Sequence, residues 1–150
     1  MIDLKPFYFA DHVRSEIAAP FSDAEHTYAT DGFIIIRVPL LAGVSGSKFA
    51  TRADRLFSDH TLGREWLSIP SLPDAIMEPC SECEHGCSEC DNGFVEKIKS
   101  VDVGGIPFQR KYLALLAALP NCRISPDGQN AAWFKFDGGD GLIMPMRCSA

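Results

Sequence analysis

The chain has 150 residues and a formal net charge of −6, with 46% of its residues hydrophobic and 23% charged. These values are typical of one ordinary globular domain with a single core, and no low-complexity tract interrupts it. No apolar run is long enough to span a membrane and the first residues lack a signal-peptide pattern, so we expect a cytoplasmic protein with no membrane partner.

The first half of the chain begins with a predicted helix over residues 11–19, with Asp11 as its N-cap and Pro20 at its end. In "HTYATDGFIIIRVPL", two β-rich runs flank Asp31-Gly32, which predicts a hairpin with a two-residue connection. A loop and a second helix are predicted in "SGSKFATRADRLFSDH", and "REWLSIP" predicts a short strand.

Four cysteines then follow within eleven positions, with the spacing C-x2-C-x3-C-x2-C. They are Cys80, Cys83, Cys87 and Cys90. In a reducing compartment paired CxxC motifs indicate metal ligands, and four thiolates suit tetrahedral Zn²⁺. Gly86 would allow the chain to reverse between the two pairs, and His85 could replace one sulfur. An iron–sulfur cluster and a redox-active or disulfide-bonded set remain alternatives.

The expected metal is one structural Zn²⁺ ion, because four protein ligands leave no open position for a catalytic water. Seven acidic residues and no Lys or Arg lie between Ser71 and Glu96, so this segment carries the acidity of the chain. Such a segment buries too little apolar surface to order itself, and metal binding can supply the missing free energy. We therefore interpret residues 74–95 as a zinc-binding loop inserted in one domain, residues 1–150.

After the loop, "GFVEKIKSVDV" predicts a strand that Gly104-Gly105 ends, and "PFQRKYLALLAALP" predicts a helix. One face of that helix carries four apolar residues at helical spacing: Tyr112, Leu115, Leu116 and Leu119. Two hairpins are predicted in "CRISPDGQNAAWFKF" and at "DGGDG". The fold class is therefore α+β, with antiparallel strands on one side and two helices on the other.

No catalytic arrangement stands out in the sequence. The four histidines have no recognisable nucleophile near them, and "DGGDG" lies between strands, where a turn is expected rather than a phosphate loop. Cys122 and Cys148 stand alone and are expected to be small buried hydrophobic residues. The sequence therefore favours a protein that is not an enzyme.

Two motifs resemble one domain of the bacterial sliding clamp, the beta subunit of DNA polymerase III. "ATDG" resembles a turn of the clamp, and "FQRKYLALLAAL…AAWFKFDGGDGLIMPMR" resembles the end of its last domain. The resemblance implies the processivity fold and an apolar cleft for short peptides of partner proteins. It places in that cleft Thr30, Asp31, Gly32, Met144, Pro145, Met146 and Arg147. The simpler interpretation is that Asp31-Gly32 is only a turn and the methionines belong to the core.

The same resemblance implies DNA-facing residues at Arg14, Arg110 and Lys111. A clamp chain has three such domains, so this chain would encircle DNA only by self-association. The chain also has Phe33-Ile34 where the clamp turn continues with His-Arg, and clamps lack the cysteine insertion. Two functions are therefore expected: a clamp-like DNA replication accessory or peptide-binding module, or a small zinc-stabilised protein–protein adaptor that uses its acidic loop.

Overall fold

The computed structural model describes residues 2–9, 17–59, 65–79 and 94–146. Within them the fold is α+β, with two α-helices and a large antiparallel sheet. The helices are α1 (Phe49–Asp59), α2 (Arg110–Ala117) and a short 3-10 helix (Lys5–Phe7). The strands are β1 (Phe21–Ser22), β2 (His26–Thr30), β3 (Ile34–Pro39), β4 (Leu67–Ser68), β5 (Met77–Pro79), β6 (Phe94–Glu96), β7 (Ser100–Val103), β8 (Ile106–Gln109), β9 (Arg123–Asp127), β10 (Asn130–Phe136) and β11 (Gly139–Ile143).

Seven strands form the main sheet in the order β1-β2-β3-β11-β10-β9-β4, and every neighbouring pair is antiparallel. Strands from the two halves of the chain meet at its centre, where β3 pairs with β11. The side chains of Arg37 and Asp140, opposite each other in this register, form a bidentate ion pair with contacts of 2.9 and 2.7 Å. Two further two-stranded ladders, β5-β6 and β7-β8, lie outside the main sheet.

The sheet is buried on both of its faces. In β3, Ile34 and Ile36 belong to one apolar cluster, whereas Ile35 belongs to the other. The first cluster includes Leu113 of α2 and the second includes Ala53 of α1. Because side chains alternate along a strand, a strand covered on both faces reads as a continuous apolar run, as "FIIIRV" does.

The two described α-helices therefore lie on opposite faces of the sheet, which corrects the prediction of two helices on one side. The predicted helix over residues 11–19 falls mostly outside the described residues, and Ile17 packs in the cluster that contains α1. The other predicted helices are confirmed, except that α2 begins at Arg110, because residues 107–109 belong to β8. In α2, Tyr112 and Leu116 are buried as predicted, while Leu113 is buried more fully than Leu115.

The predicted hairpins are confirmed, with one change of length. Asp137-Gly138 joins β10 to β11, and Gly138 has a φ of 115°, which glycine adopts without strain. Gly104-Gly105, predicted only to end a strand, instead joins β7 to β8 in a hairpin that was not predicted, with φ values of 59° and 81°, as a type I′ turn requires. The connection between β2 and β3 has three residues rather than two, because Phe33 lies outside both strands.

The strand predicted in "GFVEKIKSVDV" is divided into β6 and β7, each of which pairs with a different partner. The short strand predicted in "REWLSIP" is confirmed as β4, at the edge of the main sheet. No helix in the described ranges is long and apolar enough to cross a membrane.

Candidate functional site

The turn between β2 and β3 is held by its own side chains. The Thr30 hydroxyl donates to the carbonyl oxygen of Ile34 at 2.7 Å and accepts from the amide of Gly32 at 3.0 Å. One carboxylate oxygen of Asp31 accepts from the amides of Phe33 and Ile34, at 2.9 and 3.2 Å. Gly32 has a φ of 99°, which disfavours any side chain there. The polar groups of Thr30 and Asp31 thus shape the turn.

Asp31 also ties the turn to α2, because its second carboxylate oxygen accepts a hydrogen bond from the Tyr112 hydroxyl. Burial, reinforced by this bond and by the negative charge of Asp31, raises the pKa of Tyr112 well above its usual range. The phenol therefore stays protonated and keeps donating. This contact fixes the position of the turn relative to the helix.

The segment after β11 runs beside this turn. The amide of Met144 donates to the carbonyl oxygen of Phe33 at 2.9 Å, and the amide of Met146 donates to that of Pro107 at 2.8 Å. Met144 is exposed, Pro145 is buried and Met146 is half-buried. The structure thus places Met144 next to the turn, whereas the neighbouring Pro145 is buried. Arg147 lies outside the described residues.

A cavity of about 270 Å³ opens between this turn, Met144 and α1, and we call it the α1 pocket. Its lining is mostly apolar and includes Thr30 and Gly32 of the turn. The remaining lining residues are Ile17, Phe33, Ile34, Ile35, Phe49, Arg52, Leu56, Ala131, Leu142 and Met144. Of the residues predicted for a peptide cleft, Thr30, Gly32 and Met144 therefore share one cavity.

Three large apolar side chains at this pocket are open to solvent. Phe33 is 57% exposed, and Leu56 and Met144 are each 39% exposed. Exposed apolar side chains that gather at one concave site are typical of interaction surfaces, whereas scattered ones are ordinary. The α1 pocket is therefore the strongest candidate for ligand binding in the described part of the chain.

A second cavity, the α2 pocket, lies on the other side of Phe33 and has a volume of about 460 Å³. It is lined by Pro6, Tyr8, Phe9, Asp31, Phe33, Lys111, Tyr112 and Leu115. Phe33 lines both pockets, so the turn separates two adjoining cavities on opposite sides of the sheet.

Sequence reasoning missed the helical wall of the α1 pocket. Phe49, Arg52 and Leu56 are spaced i, i+3 and i+7, so they form one stripe of α1. A second stripe of the same helix, Ala53 and Phe57, is buried against the sheet. A stripe with two large apolar residues, half-buried Phe49 and exposed Leu56, beside a fully buried stripe is the pattern that could have indicated this wall.

The four predicted metal ligands, Cys80, Cys83, Cys87 and Cys90, lie outside the described residues. The strands on either side of them pair with each other, and Pro79 is opposite Phe94 in the register. The amide of Lys97 extends this pairing by donating to the carbonyl oxygen of Ile76 at 2.7 Å. Pro79 and Phe94, which flank residues 80–93, are therefore held one strand spacing apart. Among the described residues alone, no group of three or more His, Cys, Asp or Glu residues is arranged for a metal.

The predicted DNA-facing residues differ in how exposed they are and in what they contact. Arg14 lies outside the described residues, and the Nε of Arg110 donates to the carbonyl oxygen of Pro73 at 2.6 Å in a partly buried position. Lys111 is exposed, and its ammonium lies 5.0 Å from the centre of the Tyr112 ring. DNA contact by these residues stays a prediction.

Comparison of the chain with models of protein families, with curated proteins and with solved structures finds no match.

Proposed function

We propose that this protein is a non-enzymatic binding module that holds a short apolar segment of a partner protein in the α1 pocket. The observation that carries the proposal is the grouping of Phe33, Leu56 and Met144, all exposed, around one apolar cavity. Each lies on a different segment of the chain, and all three line the α1 pocket, which is a groove open to solvent.

The composition of the groove fits a peptide ligand. Burying an apolar side chain of a partner would remove water from these exposed residues, and large apolar side chains gain about 1.5–3 kcal/mol on full burial. Met144 adds adaptability, because an unbranched thioether side chain can pack against varied shapes. The groove therefore suits aliphatic or aromatic side chains presented by an extended or helical segment.

The resemblance to sliding clamps supports the same location, since "ATDG" and "MPM" are the segments it placed at a peptide cleft. In the proposed site, Met144 lines the pocket on one segment, and Thr30 and Gly32 line it on the turn. Asp31 acts through the turn, because its carboxylate is occupied by Tyr112 and by backbone amides. A role in DNA replication would follow if the partners are replication proteins.

Panning a phage-displayed library of random short peptides on the purified protein tests the proposal. We expect recovered peptides to share an apolar anchor and to lose roughly tenfold or more in affinity for the Leu56→Asp variant. Leu40→Asp is the matched control, because Leu40 is also exposed but lies outside both pockets. Failure to recover any peptide, or equal effects of the two variants, would overturn the proposal.

We also propose that Cys80, Cys83, Cys87 and Cys90 hold one structural Zn²⁺ ion. The ladder between β5 and β6 supports this, because it holds Pro79 and Phe94, the residues that flank the cysteine segment, opposite each other. In this proposal the metal orders the cysteine segment locally, and the main sheet is stabilised by its own apolar clusters.

A further inference from the structure

The two pockets adjoin at a single side chain. Phe33 lines both of them, and its ring is more than half exposed. Phe9, which lines the α2 pocket, is exposed to a similar extent. An apolar path therefore runs from the α1 pocket across Phe33 into the α2 pocket. A ligand longer than one side chain would follow it around the end of the sheet.

The charged side chains along this path, two cations and one carboxylate, sum to a positive charge, although the chain as a whole is acidic. Arg52 is the charged residue of the α1 pocket, and Lys111 and Asp31 are those of the α2 pocket. The Asp31 carboxylate already accepts three hydrogen bonds. One ion pair is found among the described residues, and it joins Arg37 to Asp140. Arg52 and Lys111 therefore have no carboxylate partner among those residues.

The position of Lys111 adds to this argument. It lies in the first turn of α2, which contains no acidic residue, and the positive end of the helix dipole disfavours a cation there. The dipole therefore gives no reason for a lysine at this position. A bound carboxylate would favour both the lysine and the helix end.

We infer that the ligand of the proposed site is an acidic peptide that occupies both pockets. An apolar side chain fills the α1 pocket next to Arg52, the backbone crosses Phe33, and a carboxylate further along the peptide pairs with Lys111. This inference rests on the proposed function and adds the charge and the length of the ligand. Because both cations are exposed, the ion pairs contribute modestly, weaken with salt, and act mainly on selectivity.

The test uses the full chain and the panning experiment described above, carried out at low ionic strength. We expect the recovered peptides to carry Asp or Glu at a fixed distance from the apolar anchor. Affinity for Lys111→Glu should fall roughly fivefold, and a peptide with that acid replaced by Lys should recover most of the loss. Lys99→Glu is the control, because Lys99 is exposed and lies outside both pockets.

The outcomes separate this inference from the proposal beneath it. Peptides that share an apolar anchor but no acid, with affinity unaffected by Lys111→Glu, would overturn the acidic bipartite ligand and leave the α1 pocket as a peptide site. Failure to recover peptides would overturn both. Dimerisation of the purified chain that Leu56→Asp abolishes would identify a second copy as the occupant, and would also overturn the inference. Circular dichroism of each variant confirms that the protein is folded.

Discussion

The hydroxyl of Tyr112 donates a hydrogen bond to the carboxylate of Asp31, which lies 81 residues earlier in the sequence. Asp31 in turn accepts from the amide of Phe33, the residue shared by the two pockets. A chain of contacts therefore runs from α2 through the turn to the exposed ring. This arrangement makes the position of Phe33 depend on a side chain of a different element.

Removing that hydroxyl tests the dependence. Tyr112→Phe keeps the buried ring but deprives Asp31 of a donor, and hydrogen bonds to charged groups contribute about 1.5–3 kcal/mol. We expect the free energy of unfolding, measured by urea denaturation, to fall by about 1.5 kcal/mol, and the affinity for selected peptides to fall with it. Tyr8→Phe is the control, because Tyr8 also lines the α2 pocket and no hydrogen bond of its hydroxyl is found in the described ranges. Equal losses in both variants would contradict the coupling.

Gly141 is expected to be intolerant of any side chain. It lies in β11, between Ile36 of β3 and Phe134 of β10. A Cβ atom at this position would overlap the ring of Phe134 and the carbonyl oxygen of Ile35. Overpacking of this kind typically costs 1–3 kcal/mol, and here the obstacle includes backbone, so we expect Gly141→Ala to lower the free energy of unfolding by about 3 kcal/mol.

Gly46→Ala is the matched control for this substitution. Its Cβ atom would lie 3.6 Å from the carbonyl oxygen of Ser22, an ordinary van der Waals distance. We therefore expect a change within about 0.5 kcal/mol, as for most surface substitutions. A Gly141→Ala protein as stable as Gly46→Ala would show that the strands at the centre of the sheet can move apart.

Much of the fold could be predicted from local sequence, because the signals for turns and helices lie within a few residues of each other. Asp137-Gly138 marks a hairpin by the backbone conformations it allows, Gly104-Gly105 marks the end of a strand, and the apolar spacing around Tyr112 marks α2. The side of the sheet on which each helix lies is not local information. One observation did point to it, since three consecutive isoleucines from Ile34 indicate a strand buried on both faces.

The candidate site could be predicted only in part, for a related reason. "ATDG" and "MPM" could be noticed as motifs, but their meeting depends on the pairing of β3 with β11, strands that are about 100 residues apart. The wall formed by Arg52 and Leu56 depends on how α1 packs over that pairing. The sequence also does not indicate that Phe33 belongs to the β2-β3 connection, because the ends of the two strands depend on their register.

Asp23 is expected to make stability depend on acid pH. Burial alone would raise its pKa, but the backbone amides of Glu25 and His26, the Tyr28 hydroxyl and the charge of His26 outweigh burial and lower it below 3.8. A lowered pKa in the folded state means that the ionised carboxylate stabilises the fold. That stabilisation is present above the unfolded value and is lost as the pH falls through the folded value.

Comparing the wild type with Asp23→Asn measures this contribution. We expect Asp23→Asn to lower the free energy of unfolding near neutral pH, and the difference from the wild type to shrink as the pH is lowered through and below the ordinary Asp value of 3.8. Urea denaturation at several pH values is the measurement. Asp102→Asn, at an exposed position of β7, serves as the control. A difference that stays constant with pH would show that the carboxylate of Asp23 acts without its charge.

The proposed zinc site leads to a prediction about which part of the protein depends on metal. Among the described residues, β5 and β6 pair with each other and share no strand with the main sheet. Cys122 packs against the apolar cluster that contains Leu113, and burial raises its pKa to about 12, so its thiol stays protonated and reacts slowly with thiol reagents. Cys122→Ser is therefore a suitable control for the metal ligands.

Cys83→Ser should abolish stoichiometric Zn²⁺ binding, measured by elemental analysis of freshly purified, reduced protein, whereas Cys122→Ser should leave it intact. We expect the variant to lose hydrogen-exchange protection in the β5-β6 ladder and to keep it in β3, β10 and β11, because those strands bury their own core on both faces of the main sheet. Uniform loss of protection across both regions would mean that the cysteine segment is integral to the domain. Wild-type protein without bound Zn²⁺ would remove the metal site itself, and iron in its place would favour a cluster.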